Sequence, residues 1–242
     1  ILDKMGVPVC NNGGANAVAV SEHAIAFMVA IYHRLDQQID SVRAGTWQAP
    51  IVAQSEENFH TLVGKRVGIV GLGRIGSRVA KRLQGWECEV VYHDIAEFTH
   101  EYVSAAHAER VDFHPLLRTC DVVTLHVPLE PTTKHLMSDK EFAMMKPTAI
   151  LINTCRGPVV EEAALARALE KKTICGAAID VTEVEPLPMD SPLRKLDNII
   201  ITPHLATRAI ESTNNAKRFV VENITRLAKG EKLVSIVNPV EM

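Results

Sequence analysis

Six short runs rich in β-branched residues follow one another between residues 65 and 202: KRVGIVG, ECEVVYHD, CDVVTLHVP, TAILINT, TICGAAIDV and NIIIT. Little polar alternation interrupts them, as expected of strands covered on both faces. Segments with apolar residues at helical spacing lie between them, near 75–84, 138–144 and 161–170. This alternation leaves few topologies open, because a connection between parallel strands is a right-handed crossover, usually through a helix. The expected fold class is α/β, a doubly wound parallel sheet with helices on both faces. A long helix over 16–35 precedes the first strand, marked by Val20, Ala24, Phe27, Met28, Ile31 and Leu35, and Gly45 and Pro50 punctuate the stretch between that helix and the strand. A second long helical pattern covers 210–229, HPLLRTCD reads as a helical turn before a strand, and EVEPLPMDSPL reads as a Pro-rich loop.

Gly71, Gly73 and Gly76 stand between the first run and the helical pattern behind it. Glycine spacing alone marks only a tight turn; a strand before, a helix after and an acid about 20 residues on make it a dinucleotide fingerprint. The first glycine permits the turn, the second lets backbone approach a pyrophosphate, and the third lets helix and strand pack closely. The phosphates would then meet a helix N-terminus, where free N–H groups and the helix dipole favour an anion. The next run ends at Asp94, placed to accept hydrogen bonds from ribose hydroxyls. No arginine follows it before Arg110, so nothing nearby balances the extra phosphate of NADP, and NAD is the expected cofactor.

Composition narrows the partners. With 26 basic against 29 acidic residues and no block of like charge, nucleic acid is not expected. The longest apolar run, over 24–32, falls well short of the roughly 18 residues of a membrane span, so no membrane partner is expected. Cys10, Cys88, Cys120, Cys155 and Cys175 are scattered and never spaced as Cys-x-x-Cys, which points to reduced thiols in the cytoplasm rather than disulfides or a metal site. The chain opens on Ile1 without the pattern of a signal peptide and reads as the interior of a longer polypeptide.

Ligands of a doubly wound sheet bind beyond the carboxyl ends of its strands, so the residues just past each strand carry the chemistry. Arg156 follows AILIN, Asp180, Glu183 and Glu185 follow CGAAI, and His204 follows NIIITP. Reduction of a ketone by NADH needs a proton donor at the oxygen, and His204 can supply it near neutral pH. A carboxylate on the other ring nitrogen fixes the tautomer and favours the imidazolium; Glu185 is the candidate, with Glu183 as its competitor. A carboxylate beside the substrate carbonyl calls for a planar, permanently charged partner, and Arg156 fits. Cys155 reads either as an oxidation-sensitive thiol or as a small packing residue, with packing favoured. His93, His114, His126 and His135 read as structural or surface residues, His126 also as a lining of an adenine pocket.

In this order and spacing GLGRIG, INTCRGPVVEEAAL, DVTEVEP and TPHLA resemble the D-isomer-specific 2-hydroxyacid dehydrogenases over nearly the whole chain. The resemblance implies a Rossmann coenzyme domain, remnants of a second, flavodoxin-like substrate domain, NAD, and interconversion of a 2-oxo acid and its D-2-hydroxy acid. D-lactate, glycerate, hydroxypyruvate/glyoxylate and 3-phosphoglycerate dehydrogenases are of this kind. It implies that Arg156 binds the substrate, that Glu185 orients His204, and that His204 is the acid/base. Implied cofactor contacts are Arg74 and Ile75 with Gly71, Gly73 and Gly76 at the pyrophosphate, Asp94 at the ribose, and Val127, Pro128 and Thr133 along the adenosine. Thr154, Cys155, Arg156, Asp180, His204 and Ala206 would lie toward the nicotinamide. The related formate dehydrogenases carry Gln where Glu185 stands.

The same resemblance divides the chain into 1–10 as a remnant of the substrate domain, 11–208 as the NAD-binding domain and 209–242 as a segment returning to the substrate domain. Family members carry further chain ahead of the position where this one begins, including a glycine-containing loop that grips the carboxylate. NNGG at 11–14 departs from the Thr-Pro or Ser-Pro often found there. The helix corresponding to 16–35 lies at the family's dimer interface, so a homodimer is expected. Some relatives act as corepressors that respond to dinucleotide, so a non-catalytic NAD-sensing protein is the alternative; the intact Arg156, Glu185 and His204 speak against it.

Overall fold

All six β-branched runs form strands of one sheet in the computed structural model of the chain, which describes residues 5–48 and 59–237. In chain order the strands are β1 (Arg66–Val70), β2 (Glu89–His93), β3 (Glu109–Arg110), β4 (Val122–Leu125), β5 (Ile150–Asn153), β6 (Gly176–Ile179) and β7 (Ile199–Ile201). Every pairing is parallel, and the order across the sheet is β3-β2-β1-β4-β5-β6-β7. The winding reverses between β1 and β4, where Val67 pairs with Val122 on one side and Val90 on the other. A crevice therefore opens beyond the carboxyl ends of these two strands.

Successive residues on a strand point to opposite faces, and here both faces are covered. Val67, Ile69, Val122, Ile150 and Ile152 enter one core with Ala24, Phe27, Met28, Val79 and Leu83. Val70, Val123, Leu125 and Leu151 enter the other with Leu116, Leu117, Phe142, Leu165 and Leu169. Full burial of each such aliphatic side chain contributes about 1.5–3 kcal/mol, which is why the strands lack polar alternation.

The helices are α1 (Ala17–Tyr32), α2 (Leu35–Arg43), α3 (Gly76–Arg82), α4 (His100–Ala106), α5 (Phe113–Thr119), α6 (Asp139–Phe142), α7 (Glu162–Glu170) and α8 (Ile210–Ala228). The single helix expected over 16–35 ends instead at Tyr32, and Arg34 takes a left-handed conformation (φ 50°) before α2 begins. Left-handed helix ends normally fall on Gly or Asn, so an arginine there gives no signal. HPLLRT of the stretch HPLLRTCD belongs to a full helix, α5, and α2, α4 and β3 are additions to the expected elements. Both residues of β3 are exposed, which hides the strand from any hydrophobic pattern. Pro50 and residues 1–4 of the expected substrate-domain remnant lie outside the described residues.

The chain divides into two compact units, Ser21–Ala206 and a smaller one from Ile1–Val20 with Thr207–Met242. In the smaller unit Cys10 bridges Ile236 in antiparallel fashion, and Asn223 brackets Val234 through both its side-chain amide and carbonyl at 3.0 and 3.1 Å. Gly13 of the NNGG segment lies under the Phe219 ring, where a Cβ would come 2.5 Å from Cε2. No helix among the described residues is long and apolar enough to cross a membrane.

Candidate active site

β1 ends at Val70, and Gly71 turns the chain at φ 95°, a conformation that residues with a side chain rarely adopt. A Cβ there would also lie 2.7 Å from the His126 carbonyl oxygen. At Gly76 a Cβ would overlap the Gly71 carbonyl oxygen and lie 2.9 Å from Ile69 Cγ2, so α3 starts directly on the end of β1. Gly73 differs, with nothing within 4 Å of where its Cβ would be. Tight packing at the outer two glycines and open space at the middle one fit a dinucleotide whose pyrophosphate approaches the backbone.

Asp94 follows β2 and reaches back to this loop: Oδ2 accepts from the Leu72 N–H at 2.7 Å and Oδ1 from the Ala96 N–H at 2.8 Å. Each oxygen keeps acceptor capacity for a ribose hydroxyl. Arg110 donates to the Asp94 carbonyl oxygen at 3.0 Å, so the arginine excluded by sequence distance is a neighbour in space. A cleft of about 320 Å³ joins Gly71, Gly73, Asp94, Val127, Pro128 and Thr133. The Thr133 hydroxyl donates to the Pro128 carbonyl at 2.6 Å and accepts from the Glu130 N–H at 2.8 Å, which fixes the rim of that cleft. His126 also lines it. Part of the ring surface reaches the cleft, yet the surrounding protein desolvates the imidazole and pushes its pKa down to about 3, so it is neutral. Its Nε2 lies 3.0 Å from Thr124 Oγ1, and its Nδ1 has no partner among the described residues. Arg74 is exposed and Ile75 half-buried at the start of α3, outside the cleft lining.

The loop after β5 is shaped by Asn153, whose side chain is buried. Its Oδ1 accepts from the Cys155 N–H at 3.0 Å, and its Nδ2 donates to the Arg156 carbonyl at 3.1 Å. Thr154 and Cys155 are buried in this turn, and Arg156 stands exposed with Nη1 on the Cys155 carbonyl at 2.6 Å. Gly157 follows because a Cβ would overlap the Thr182 carbonyl, which packs the Arg156 loop against the loop after β6. Burial raises the Cys155 thiol to about 11, so the group is a protonated packing residue, not a nucleophile. Thr154 Oγ1 is buried without a hydrogen-bond partner among the described residues. An orphan of this kind is costly unless a ligand satisfies it, which fits the nicotinamide end of a bound dinucleotide.

β6 leads into Asp180, whose carboxylate is only 1% exposed. It accepts from the Thr202 hydroxyl at 2.5 Å, the Leu205 N–H at 2.9 Å and the Ala206 N–H at 2.8 Å, while its carbonyl accepts from the His204 N–H at 2.8 Å. These bonds hold the chain on both sides of His204, which sits in the left-handed region at φ 57°. His23 of α1 lies 3.9 Å from Asp180 Oδ1, but desolvation lowers its pKa more than the Asp180 charge raises it. The contact therefore carries no full ion pair at neutral pH.

His204 Nδ1 lies 2.7 Å from Glu185 Oε2, and the Thr182 N–H donates to Glu185 Oε1 at 3.3 Å. Burial pushes the Glu185 carboxyl up, but the hydrogen bonds from His204 and Thr182 and the charges of His204 and Arg156 outweigh it, and the net shift is downward. The carboxylate beside the imidazole is charged. Glu183 turns elsewhere: its Oε1 lies 2.9 Å from His135 Nε2 and accepts from the Glu162 N–H at 3.2 Å. A hollow of about 730 Å³ touches Asp180, Glu185 and His204 from the β7 side, and its further lining includes Leu187, Leu193, Arg194, Leu196 and Ile199. Neither Arg156 nor the glycine loop borders it, so it is not where a dinucleotide and a carboxylate substrate would meet.

Asn153, Gly157 and Thr202 shape the site without having been singled out by the sequence. Their signals were position, each at or just past the end of a strand and within three residues of Arg156 or His204, and membership of the motifs INTCRGPVVEEAAL and TPHLA. No group of three or more His, Cys, Asp or Glu among the described residues could hold a metal ion.

Residues 25–206 match the family model described as D-isomer specific 2-hydroxyacid dehydrogenase, NAD binding domain. The chain is 38% identical over 238 residues to the glyoxylate reductase of Thermofilum pendens, covering 97% of this chain and 69% of that protein. It is 38% identical over 238 residues to the D-3-phosphoglycerate dehydrogenase of Archaeoglobus fulgidus, covering 96% of this chain but only 43% of that protein. Holo D-mandelate dehydrogenase from Rhodotorula graminis superposes with a TM-score of 0.93 at 31% identity, over 99% of this chain and 71% of that one. With the glycine loop, the Asp94 corner and the Arg156, Glu185 and His204 loops on one side of the sheet, the chain belongs to the D-isomer specific 2-hydroxyacid dehydrogenase family and contains its NAD binding domain.

Proposed function

We propose that the protein is an NAD-dependent D-2-hydroxyacid dehydrogenase that works as a 2-oxoacid reductase, of the glyoxylate/hydroxypyruvate, D-lactate or D-3-phosphoglycerate type. The observation that carries this reading is the 2.7 Å bond between His204 Nδ1 and a charged Glu185. With Nδ1 committed, Nε2 is the nitrogen left to deliver a proton to the carbonyl oxygen, or to take it from the hydroxyl in the reverse direction. Glu185 stabilises the imidazolium from which that proton leaves. Arg156 is assigned to the substrate carboxylate, because its fork can make two parallel bonds. NAD, when bound, supplies the hydride acceptor or donor at the neighbouring carbon. Gly71, Gly73, Gly76, Arg74 and Ile75 are assigned to its pyrophosphate, Asp94 to the ribose, and Val127, Pro128 and Thr133 to the adenosine. Thr154, Cys155, Asp180 and Ala206 are assigned to the nicotinamide side, Thr154 through its orphan hydroxyl and Asp180 and Ala206 through the loop they hold.

Within this proposal residues 1–10 and 209–242 belong to the substrate domain and 11–208 to the coenzyme domain. The protein acts in the cytoplasm, a reading supported by five free cysteines. It acts as a homodimer, supported by Leu35, Ile39, Val42 and Trp47, which stand exposed on and just after α2. The test is NADH oxidation followed at fixed enzyme concentration with glyoxylate, hydroxypyruvate, pyruvate and 3-phosphohydroxypyruvate in turn. Turnover with at least one is expected and names the substrate; NADH binding with no turnover on any would favour a non-catalytic sensor.

A further inference from the structure

The glycine loop has a support that the dinucleotide fingerprint does not require. Tyr102 on α4 places its hydroxyl 3.1 Å from the Leu72 carbonyl, 3.3 Å from the Gly73 carbonyl and 3.0 Å from Ser77 Oγ. Its one proton is shared among these three acceptors, and the Gly73 carbonyl accepts in addition from the Ser77 hydroxyl at 2.8 Å and from the Ser77 N–H at 3.0 Å. Tyr102 is itself held in place. Its ring stacks on Phe98 with centroids 4.9 Å apart and planes 16° off parallel, and its N–H donates to the helix cap Thr99 Oγ1 at 3.3 Å. The tyrosine does not border the adenosine cleft, so it acts on the loop from outside.

A trans peptide unit is planar, and its C=O and N–H point in opposite directions. The bond that holds the Leu72 carbonyl on Tyr102 therefore also fixes the N–H of Gly73, which belongs to the same peptide unit, pointing the other way; the next unit, with the Arg74 N–H, is set by the bonds of Ser77 to the Gly73 carbonyl. The Leu72 N–H is fixed separately by Asp94. Consecutive backbone donors of the loop are thus oriented by two side chains that the glycine pattern does not contain.

We propose that Tyr102 is a positioning residue for the coenzyme: its hydroxyl presets the Leu72–Gly73 peptide unit of the glycine loop, whose N–H donates to the NAD pyrophosphate. Binding then orders less of the loop, and affinity rises without a direct contact. This inference rests on the reading of Gly71–Gly76 as the pyrophosphate site. Tyr102→Phe removes the hydroxyl and keeps the stacked ring. It is expected to raise the Kd of NADH, by fluorescence titration, and of ADP, by calorimetry, about three- to tenfold each, the effect of roughly one net hydrogen bond. KM for NADH rises with them, while kcat at saturating NADH and KM for the 2-oxo acid change far less. A lower melting temperature with both Kd values unchanged would make Tyr102 a structural tether of α4 and overturn the proposal. Wild-type protein that binds neither NADH nor ADP overturns the reading of the loop itself, and the proposal with it, before any variant is made.

Discussion

Replacing Asp180 with Asn tests whether one buried carboxylate holds the loop that carries His204. The wild-type carboxylate accepts from Leu205 N–H and Ala206 N–H at 2.9 and 2.8 Å and from the Thr202 hydroxyl. Asn offers one oxygen and one NH₂ in the same volume. With the NH₂ in place of Oδ2 it faces the Ala206 N–H, donor against donor; in place of Oδ1 it faces the Leu205 N–H, although the Thr202 hydroxyl can then rotate to accept. Either orientation leaves one backbone N–H without its acceptor, the buried one of Ala206 or the part-buried one of Leu205, which costs about 1–3 kcal/mol. The surviving backbone bond also loses its charge assistance, roughly another 1 kcal/mol. The expected destabilisation is therefore about 2–4 kcal/mol, read from urea unfolding at an unchanged m-value. Because His204 lies between Thr202 and Leu205 in the chain, the same loosening is expected to lower kcat/KM at least about tenfold. A stability loss below about 1 kcal/mol would refute the reasoning, since the loop would then be held by other contacts.

The three glycines are expected to separate by assay: Gly73→Ala keeps the melting temperature and weakens NADH binding, whereas Gly76→Ala destabilises the fold by about 1–3 kcal/mol or more. The reverse pattern would contradict the open space seen at Gly73 alone. Cys120 and Cys155, both raised to about 11 by burial, are expected to stay unalkylated by iodoacetamide in the folded protein, as judged by mass spectrometry of peptides. Their protonated form is the one favoured by folding, so this part of the stability is complete below the ordinary thiol pKa of 9.0 and is lost as pH rises toward about 11. For His126 the sign is opposite: with a folded pKa of about 3 against 6.5, its contribution is complete above 6.5 and is lost as pH falls toward 3. His126→Phe should flatten the acid limb of a stability–pH profile, and an unchanged limb would exclude this source.

The parallel sheet was legible because strands buried on both faces write continuous apolar runs, and a site beyond their carboxyl ends followed from that class of sheet; the strand order that opens the crevice between β1 and β4 was not, because apolar runs do not say which strands pair. β3 was not, because a two-residue exposed edge strand is made by pairing with β2, not by its own side chains. The break at Arg34 was hidden for a related reason: a left-handed arginine is set by the fold around it and carries no local marker. At the site, the charged residues after strand ends could be found by position alone. Spacing could not separate Glu183 from Glu185, since residues two apart in an extended segment project alike. The structure separates them by their partners, His135 for one and His204 for the other. The holding roles of Asn153, Asp180 and Tyr102 depend on backbone groups brought close by the fold, and a sequence does not show which carbonyl or N–H a side chain will meet.

The central claim is that His204 handles the proton while the glycine loop holds the dinucleotide, two tasks on separate residues. The most direct measurement is His204→Ala, with NADH affinity by fluorescence titration and NADH oxidation by absorbance on the best 2-oxo acid of the substrate panel. The account predicts turnover reduced at least about a hundredfold, as for loss of a general acid, with NADH affinity close to wild type. Turnover retained within about tenfold, or an equal loss of NADH binding, would contradict it.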